Sequence, residues 1–148
     1  MGRAGHERGF MDFKLELVIV PVSDVDRAKA FYAERAGFIV DVDHRVDDDF
    51  RIVQLTPPGS ACSIAIGVGI TDAAPGSVRS LHLVVRDIQA AHAELVERGL
   101  DCSEVRHFDA DTRAFAPGPD PDGRDYGSFV FFSDPDGNTW TVQQGRRT

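Results

Sequence analysis

The chain has 148 residues and a formal net charge of −8, from 24 acidic against 16 basic residues. That length suits one domain with its own core, and the acidic balance argues against a nucleic-acid partner. Cys62 and Cys102 lie outside any Cys-x-x-Cys or Cys/His spacing and no apolar run reaches membrane-helix length, which points to a cytoplasmic protein with no membrane partner.

Residues 1–12 are polar and lack the apolar centre of a signal peptide, so they read as a flexible leader. Residues 13–22 are rich in β-branched residues and leucine and run into Pro21-Val-Ser-Asp24, a strand delivered to a helix N-cap. The helix that follows places Val25, Ala28, Phe31 and Tyr32 on one face and stops at Gly37. Strand candidates at 38–43, 50–55 and 62–68 follow, the last two separated by a Pro57-Pro58-Gly59 turn. His44 is placed on a solvated acidic turn. The first half, 13–70, therefore reads βαβββ.

After a Gly-, Ala- and Pro-containing spacer at 71–77, the second half, 78–146, repeats the pattern. Ser80-Leu-His-Leu-Val-Val-Arg-Asp87 is a strand entering a helix that ends at Gly99, followed by strand candidates at 102–108, 128–132 and 139–143. Asp134-Pro-Asp-Gly-Asn138 turns between the last two. At a constant offset of 63, Val22 matches Val85, Asp24 matches Asp87, Ala28 matches Ala91 and Arg35 matches Arg98. This is an internal duplication within one domain spanning 13–146. Residues 109–127 interrupt it with an acidic Pro/Gly-rich loop, read as either a mobile solvated segment or a lid.

Paired βαβββ units, Val-Ser-Asp24 entering a helix that carries Phe31-Tyr32, and the closing Asp-Pro-Asp-Gly-Asn hairpin together resemble the vicinal oxygen chelate superfamily of glyoxalases, bleomycin resistance proteins and dioxygenases. The resemblance covers nearly the whole chain. It implies an α+β fold in which the two modules form a curved, barrel-like cup. It also implies four strand positions that converge on a divalent ion in the metal-dependent members. In this sequence those positions fall on Leu17, Ala65, Ser80 and Thr141. Leucine and alanine offer no lone pair, so the expectation is a cup with no metal and no cofactor.

Strand residues two apart share a face, so Leu15, Leu17 and Ile19, then Ser80, His82 and Val84, then Thr139, Thr141 and Gln143 should line the cup. The expected ligand-binding set is Leu17, Ile19, Ala65, Ser80, His82, Tyr126, Thr141 and Gln143. His82 is the one titratable group among these inner-face positions, and so the single candidate for catalysis. Phe108, Phe115 and Tyr126 are placed to close over a ligand, and Trp140 to point away into the core. Three functions remain open: a metal-free binding protein of sequestration or resistance type, a metal-independent lyase or isomerase using His82, and a divalent-metal glyoxalase or dioxygenase. A small-molecule ligand and a homodimer are the expected partners.

Overall fold

The computed structural model describes Gly9 and residues 11–146. The flexible leader expected at 1–12 lies outside the described residues except for Gly9, Met11 and Asp12. The first half comprises β1 (Leu17–Ile19), α1 (Val25–Ala30), which runs on as a π-helical stretch (Phe31–Arg35), β2 (Ile39–Asp47), β3 (Phe50–Thr56) and β4 (Ser63–Val68). The second comprises β5 (Leu81–Val85), α2 (Ile88–Glu97), β6 (Arg106–Asp109), β7 (Ala114–Pro117), β8 (Ser128–Ser133) and β9 (Thr139–Gln144). The strands form two sheets, ordered β1-β4-β3-β2 and β5-β9-β8-β6-β7, with no closed barrel.

The duplication is visible in both local and long-range geometry. The Asp24 carboxylate accepts the Arg27 N–H at 3.1 Å, and Asp87, 63 residues later, accepts the Ala90 N–H at 3.0 Å. Each cap satisfies one of the donors that a helix start leaves free. Gly37 and Gly99 then end the two helices at φ of 79° and 82°, a conformation that costs glycine little. In each half the first strand pairs parallel with the last: Ile19 opposes Ala65, and His82 opposes Thr141. The next strand repeats the match, since Gln54 opposes Ala65 and Phe131 opposes Thr141.

Period-two alternation assigns the sheet faces. Val53 and Leu55 of β3 and Ile64 and Ile66 of β4 turn inward, as do Val130 and Phe132 of β8 and Trp140 and Val142 of β9. They join Val25, Ala28, Tyr32 and Ile88 from the helices in one core shared by both halves. Trp140, 3% exposed, stands among Tyr32, Phe38 and Phe132 with ring centroids 5.6 to 5.9 Å away, the core role its place in β9 predicts.

A buried polar cluster ties the halves together at the Asp-Pro-Asp-Gly-Asn turn. Tyr32 Oη donates to Asp134 at 2.7 Å and accepts from Trp140 Nε1 at 2.9 Å. Asn138 Nδ2 donates to both Asp134 and the Pro21 carbonyl at 2.8 Å. Burial, followed by the neighbouring Asp134 charge, pushes the Tyr32 hydroxyl well above the usual phenol range.

Several expectations are corrected. The stretch 109–127 is not structureless: β7 pairs antiparallel with β6, Phe108 opposing Phe115. Beyond β7 the chain is folded around Asp120, whose carboxylate accepts from the Arg124 guanidinium at 2.8 and 3.0 Å. That guanidinium holds the Asp120 carboxyl well below the usual range. The first strand is only three residues long, and Leu15 lies outside it, 70% exposed, at the edge of a cavity that His82 also borders. The strand expected at 102–108 begins at Arg106, and Cys102 makes only an isolated bridge to Phe132. His44 lies within β2 opposite Ile52, not on a turn.

Candidate ligand-binding face

The opposite face of each sheet carries the alternate residues, of which Ser63, Ala65 and Thr141 are buried and Ile19, His82 and Val84 exposed. On the first sheet Leu17 opposes Ser63 and Ile19 opposes Ala65, with Gln54 beside Ala65. On the second sheet His82, Thr141 and Phe131 make one row across β5, β9 and β8, and Val84, Gln143 and Phe129 make the next. The expected binding residues are thus divided: Leu17, Ile19 and Ala65 sit together on one sheet, and Ser80, His82, Thr141 and Gln143 on the other. Tyr126 approaches the second group, because its N–H donates to the Gln144 carbonyl at 2.6 Å and its carbonyl accepts from Gln143 Nε2 at 3.0 Å.

Two cavities border this second face. One of about 400 Å³ is lined by His82, Leu83, Val84, Tyr126 and Gln143. The other, of about 370 Å³, is lined by Ser80, Phe131, Phe132, Ser133, Thr139, Trp140 and Thr141. A third, of about 530 Å³, runs between the 57–61 turn and His82–Arg86. His82 therefore borders two of the three. Such volumes lie in the range of about 300–1,000 Å³ typical of small-molecule sites.

The hydrogen bonds of His82 fix its chemistry. Its Nδ1 lies 2.8 Å from the Ser80 carbonyl, which can only accept, so Nδ1 carries the proton and Nε2 presents a lone pair. Ser80 is held for this contact in a left-handed conformation, φ 58°, with its N–H donating to Thr139 Oγ1 at 2.6 Å. Tyr126 has a similar φ of 64°, and its ring lies against Gly145, where an added Cβ would meet it at 2.5 Å. Non-glycine residues in this conformation are uncommon and concentrate at functional sites.

Sequence reading missed the surface's main aromatic feature. Phe129 and Phe131 project from β8 with parallel rings 5.9 Å apart. Phe115 stands edge-on to both at 5.3 and 5.0 Å, and Phe108 packs edge-on against Phe115 at 5.6 Å. Phe108 and Phe115 were expected near a ligand; Phe129 and Phe131 were not. The signal was the alternation Ser128, Val130, Phe132 on the buried side, which sends the intervening phenylalanines outward.

Other candidates lie elsewhere. His107 Nδ1 donates to the Gly118 carbonyl, 2.9 Å away, and belongs with Ser128 on the opposite face of its sheet. Glu104 pairs with Arg106 at 3.0 Å, and His92 is half-buried on α2.

The four positions that would ligate a metal, Leu17, Ala65, Ser80 and Thr141, do not fit a divalent ion. The register makes Ala65 the counterpart of Thr141, and neither Leu17 nor Ala65 carries a donor atom. Among the described residues, no three His, Cys, Asp or Glu side chains gather closely enough to hold an ion. Nor is any helix among them long and apolar enough to cross a membrane.

Comparison with solved structures places the chain beside TnmS3, an antibiotic binding protein from Streptomyces sp. CB03234, at 31% identity, covering 93% of this chain and 99% of that one with a TM-score of 0.70. A glyoxalase/bleomycin resistance protein from the same organism is 33% identical over 88% of this chain and 100% of its own, TM-score 0.66. A member of the glyoxalase/bleomycin resistance protein/dioxygenase superfamily from Sphaerobacter thermophilus DSM 20745 is 27% identical over 91% and 99%, TM-score 0.66. No curated protein matches the chain. The sequence profile of the Glyoxalase/Bleomycin resistance protein/Dioxygenase superfamily matches residues 14–142, nearly the full length. The chain belongs to that superfamily.

Proposed function

We propose that the chain is a cytoplasmic, metal-independent binding protein of the sequestration or resistance type, holding a small organic molecule on the face of its second sheet that carries His82, Thr141 and Gln143. The observation that carries this reading is the composition of that face. Half-buried Phe131 and Phe129 adjoin Thr141 and Gln143 in the rows that hold His82 and Val84, while two of the four metal positions, Leu17 and Ala65, hold side chains without ligand atoms. The likeness to an antibiotic binding protein supports it. Incubation with a mixed natural-product extract, followed by mass spectrometry of the re-isolated protein, should recover one compound unchanged and in proportion to protein; chemical conversion of that compound would overturn the reading. Calorimetric titration with zinc, nickel, manganese and iron(II) should show no tight binding. One ion per chain would restore the divalent-metal glyoxalase or dioxygenase alternative.

His82 gives a second reading its support. With Nδ1–H tied to the Ser80 carbonyl, Nε2 is the ring atom that a metal-independent lyase or isomerase would use to take a proton. That reading predicts that His82→Ala abolishes turnover while ligand is still bound, and an unchanged rate eliminates it.

We also infer a homodimer. The candidate residues of the first sheet and those of the second lie on outward faces of a shared core, and Ile19 and Val42 leave an apolar surface on the first. A C2 pair that sets one chain's first sheet opposite its partner's second would close two equivalent cups. Sedimentation should give twice the 16.2 kDa chain mass at micromolar concentration, and a monomer alone would count against it.

A further inference from the structure

Two side chains bordering the His82 cavity have committed donors: His82 Nδ1–H is held by the Ser80 carbonyl, and Gln143 Nε2 by the Tyr126 carbonyl. What these two have left to offer a ligand is Nε2 of His82 and Oε1 of Gln143, both acceptors, beside the Tyr126 hydroxyl, which can donate or accept. The assignment of the Gln143 amide follows from the same logic as the histidine tautomer: the Tyr126 carbonyl cannot donate, so the nitrogen must point to it. A cavity of about 400 Å³ thus presents two acceptors within one wall, backed by Val84 and the half-exposed Tyr126 ring. An acceptor that a bound ligand covers without supplying a donor loses its water and costs affinity, so the site selects a molecule that supplies hydrogens there.

The adjoining surface sets the shape of that molecule. Phe129 and Phe131 are parallel to within 6°, and Phe115 turns its ring at 76° and 70° to theirs. Phe115 and Phe108 nevertheless keep 47% and 48% of their surface exposed. Apolar area of this extent on a polar chain marks a binding surface, and rings bind other rings better than they bind saturated groups of equal area. The Phe131 ring also borders the cavity that contains Ser80 and Thr141, so the aromatic surface and the acceptor-lined wall are continuous across the His82–Thr141–Phe131 row.

We infer that the ligand is a flat, fused or conjugated aromatic molecule with a hydroxyl or N–H donor at one edge, its ring body on Phe131 and Phe115 and its donor edge on His82 Nε2 and Gln143 Oε1. This rests on the binding reading above and narrows it to a ligand class. Isothermal calorimetry on the full chain with three probes tests it: 7-hydroxyflavone, flavone, and the saturated alcohol 4-cyclohexylcyclohexanol. The hydroxyflavone should bind roughly three- to tenfold more tightly than flavone, the worth of one net hydrogen bond. Flavone in turn should bind roughly tenfold more tightly than the saturated alcohol.

Variants locate the two contributions. His82→Leu and Gln143→Leu should each weaken hydroxyflavone to the level of flavone and leave flavone unchanged. Phe131→Leu, which keeps apolar bulk, should weaken both flavones and spare the alcohol. Equal binding of flavone and its hydroxylated form, preference for the saturated alcohol, or no binding of any probe overturns the ligand class. The extract experiment uses no flat probe, so it decides the wider binding reading independently. A non-aromatic compound recovered there would refute the class while upholding the function.

Discussion

The two halves share a scaffold and differ in what they place on it. In the first sheet the row across β1, β4 and β3 is Ile19, Ala65 and Gln54; in the second the corresponding row across β5, β9 and β8 is His82, Thr141 and Phe131. Caps, parallel pairing and helix-ending glycines are preserved between them, because those features form the backbone and tolerate few alternatives. Side chains on the open face bear no such constraint. The comparison teaches that a duplicated fold can keep its architecture twice and its chemistry once.

The largest expected break in the comparison lies in the core. Trp140 and Ile64 are equivalent by register, but Trp140 contacts three other rings. Trp140→Ala should cost about 3–5 kcal/mol and Ile64→Ala about 2–5 kcal/mol by denaturant unfolding, each with an unchanged m-value. Next comes the polar link between the halves. Tyr32→Phe leaves the buried Asp134 carboxylate and the Trp140 N–H each short of a partner, for a loss of about 1–3 kcal/mol. The helix caps should show the symmetry most cleanly: Asp24→Ala and Asp87→Ala are each expected to cost about 1 kcal/mol. A difference of more than a factor of two between them would show that the halves are not energetically equivalent.

The smallest effect is electrostatic. Asp43 accepts from the Arg51 guanidinium at 3.0 and 2.9 Å and from Lys29 at 2.7 Å, which holds its carboxyl well below the usual range. A depressed carboxyl stabilises the fold at pH values above its unfolded pKa and loses that contribution as pH falls through the folded one. Melting temperature should therefore drop on acidification below about pH 4, and Asp43→Asn should flatten that drop. Asp120, held low by the Arg124 guanidinium in the second half, should add a slope of the same sign.

Much of this was legible in the sequence, because repetition and periodicity are both geometric. The Asp24/Asp87 offset marked both helix starts, and alternation along β9 sent Trp140 inward and Thr141 to the other face. The remainder was hidden for specific reasons. Residues 128–132 contain three phenylalanines whose shared hydrophobicity masks the alternation, so the sequence does not separate Phe129 and Phe131 from the buried Phe132. Strand β7 is four residues long, ends in proline and lies between turn-forming residues, so its pairing with β6 had no local signature. The switch from α to π geometry at Phe31 was likewise unmarked, as it depends on where the Phe31 and Tyr32 rings must pack.

The cluster at Asp134 constrains how such a chain can be re-engineered. By register, the first-half counterpart of Asp134 is Pro57, and that of Tyr32 in the second helix is Leu95. A symmetric protein built from two copies of 78–146 would bury the Asp134 carboxylate against leucine, and one built from two copies of 13–70 would have no acceptor for the Tyr32 hydroxyl. The halves are therefore no longer interchangeable modules: each has become the other's obligatory complement.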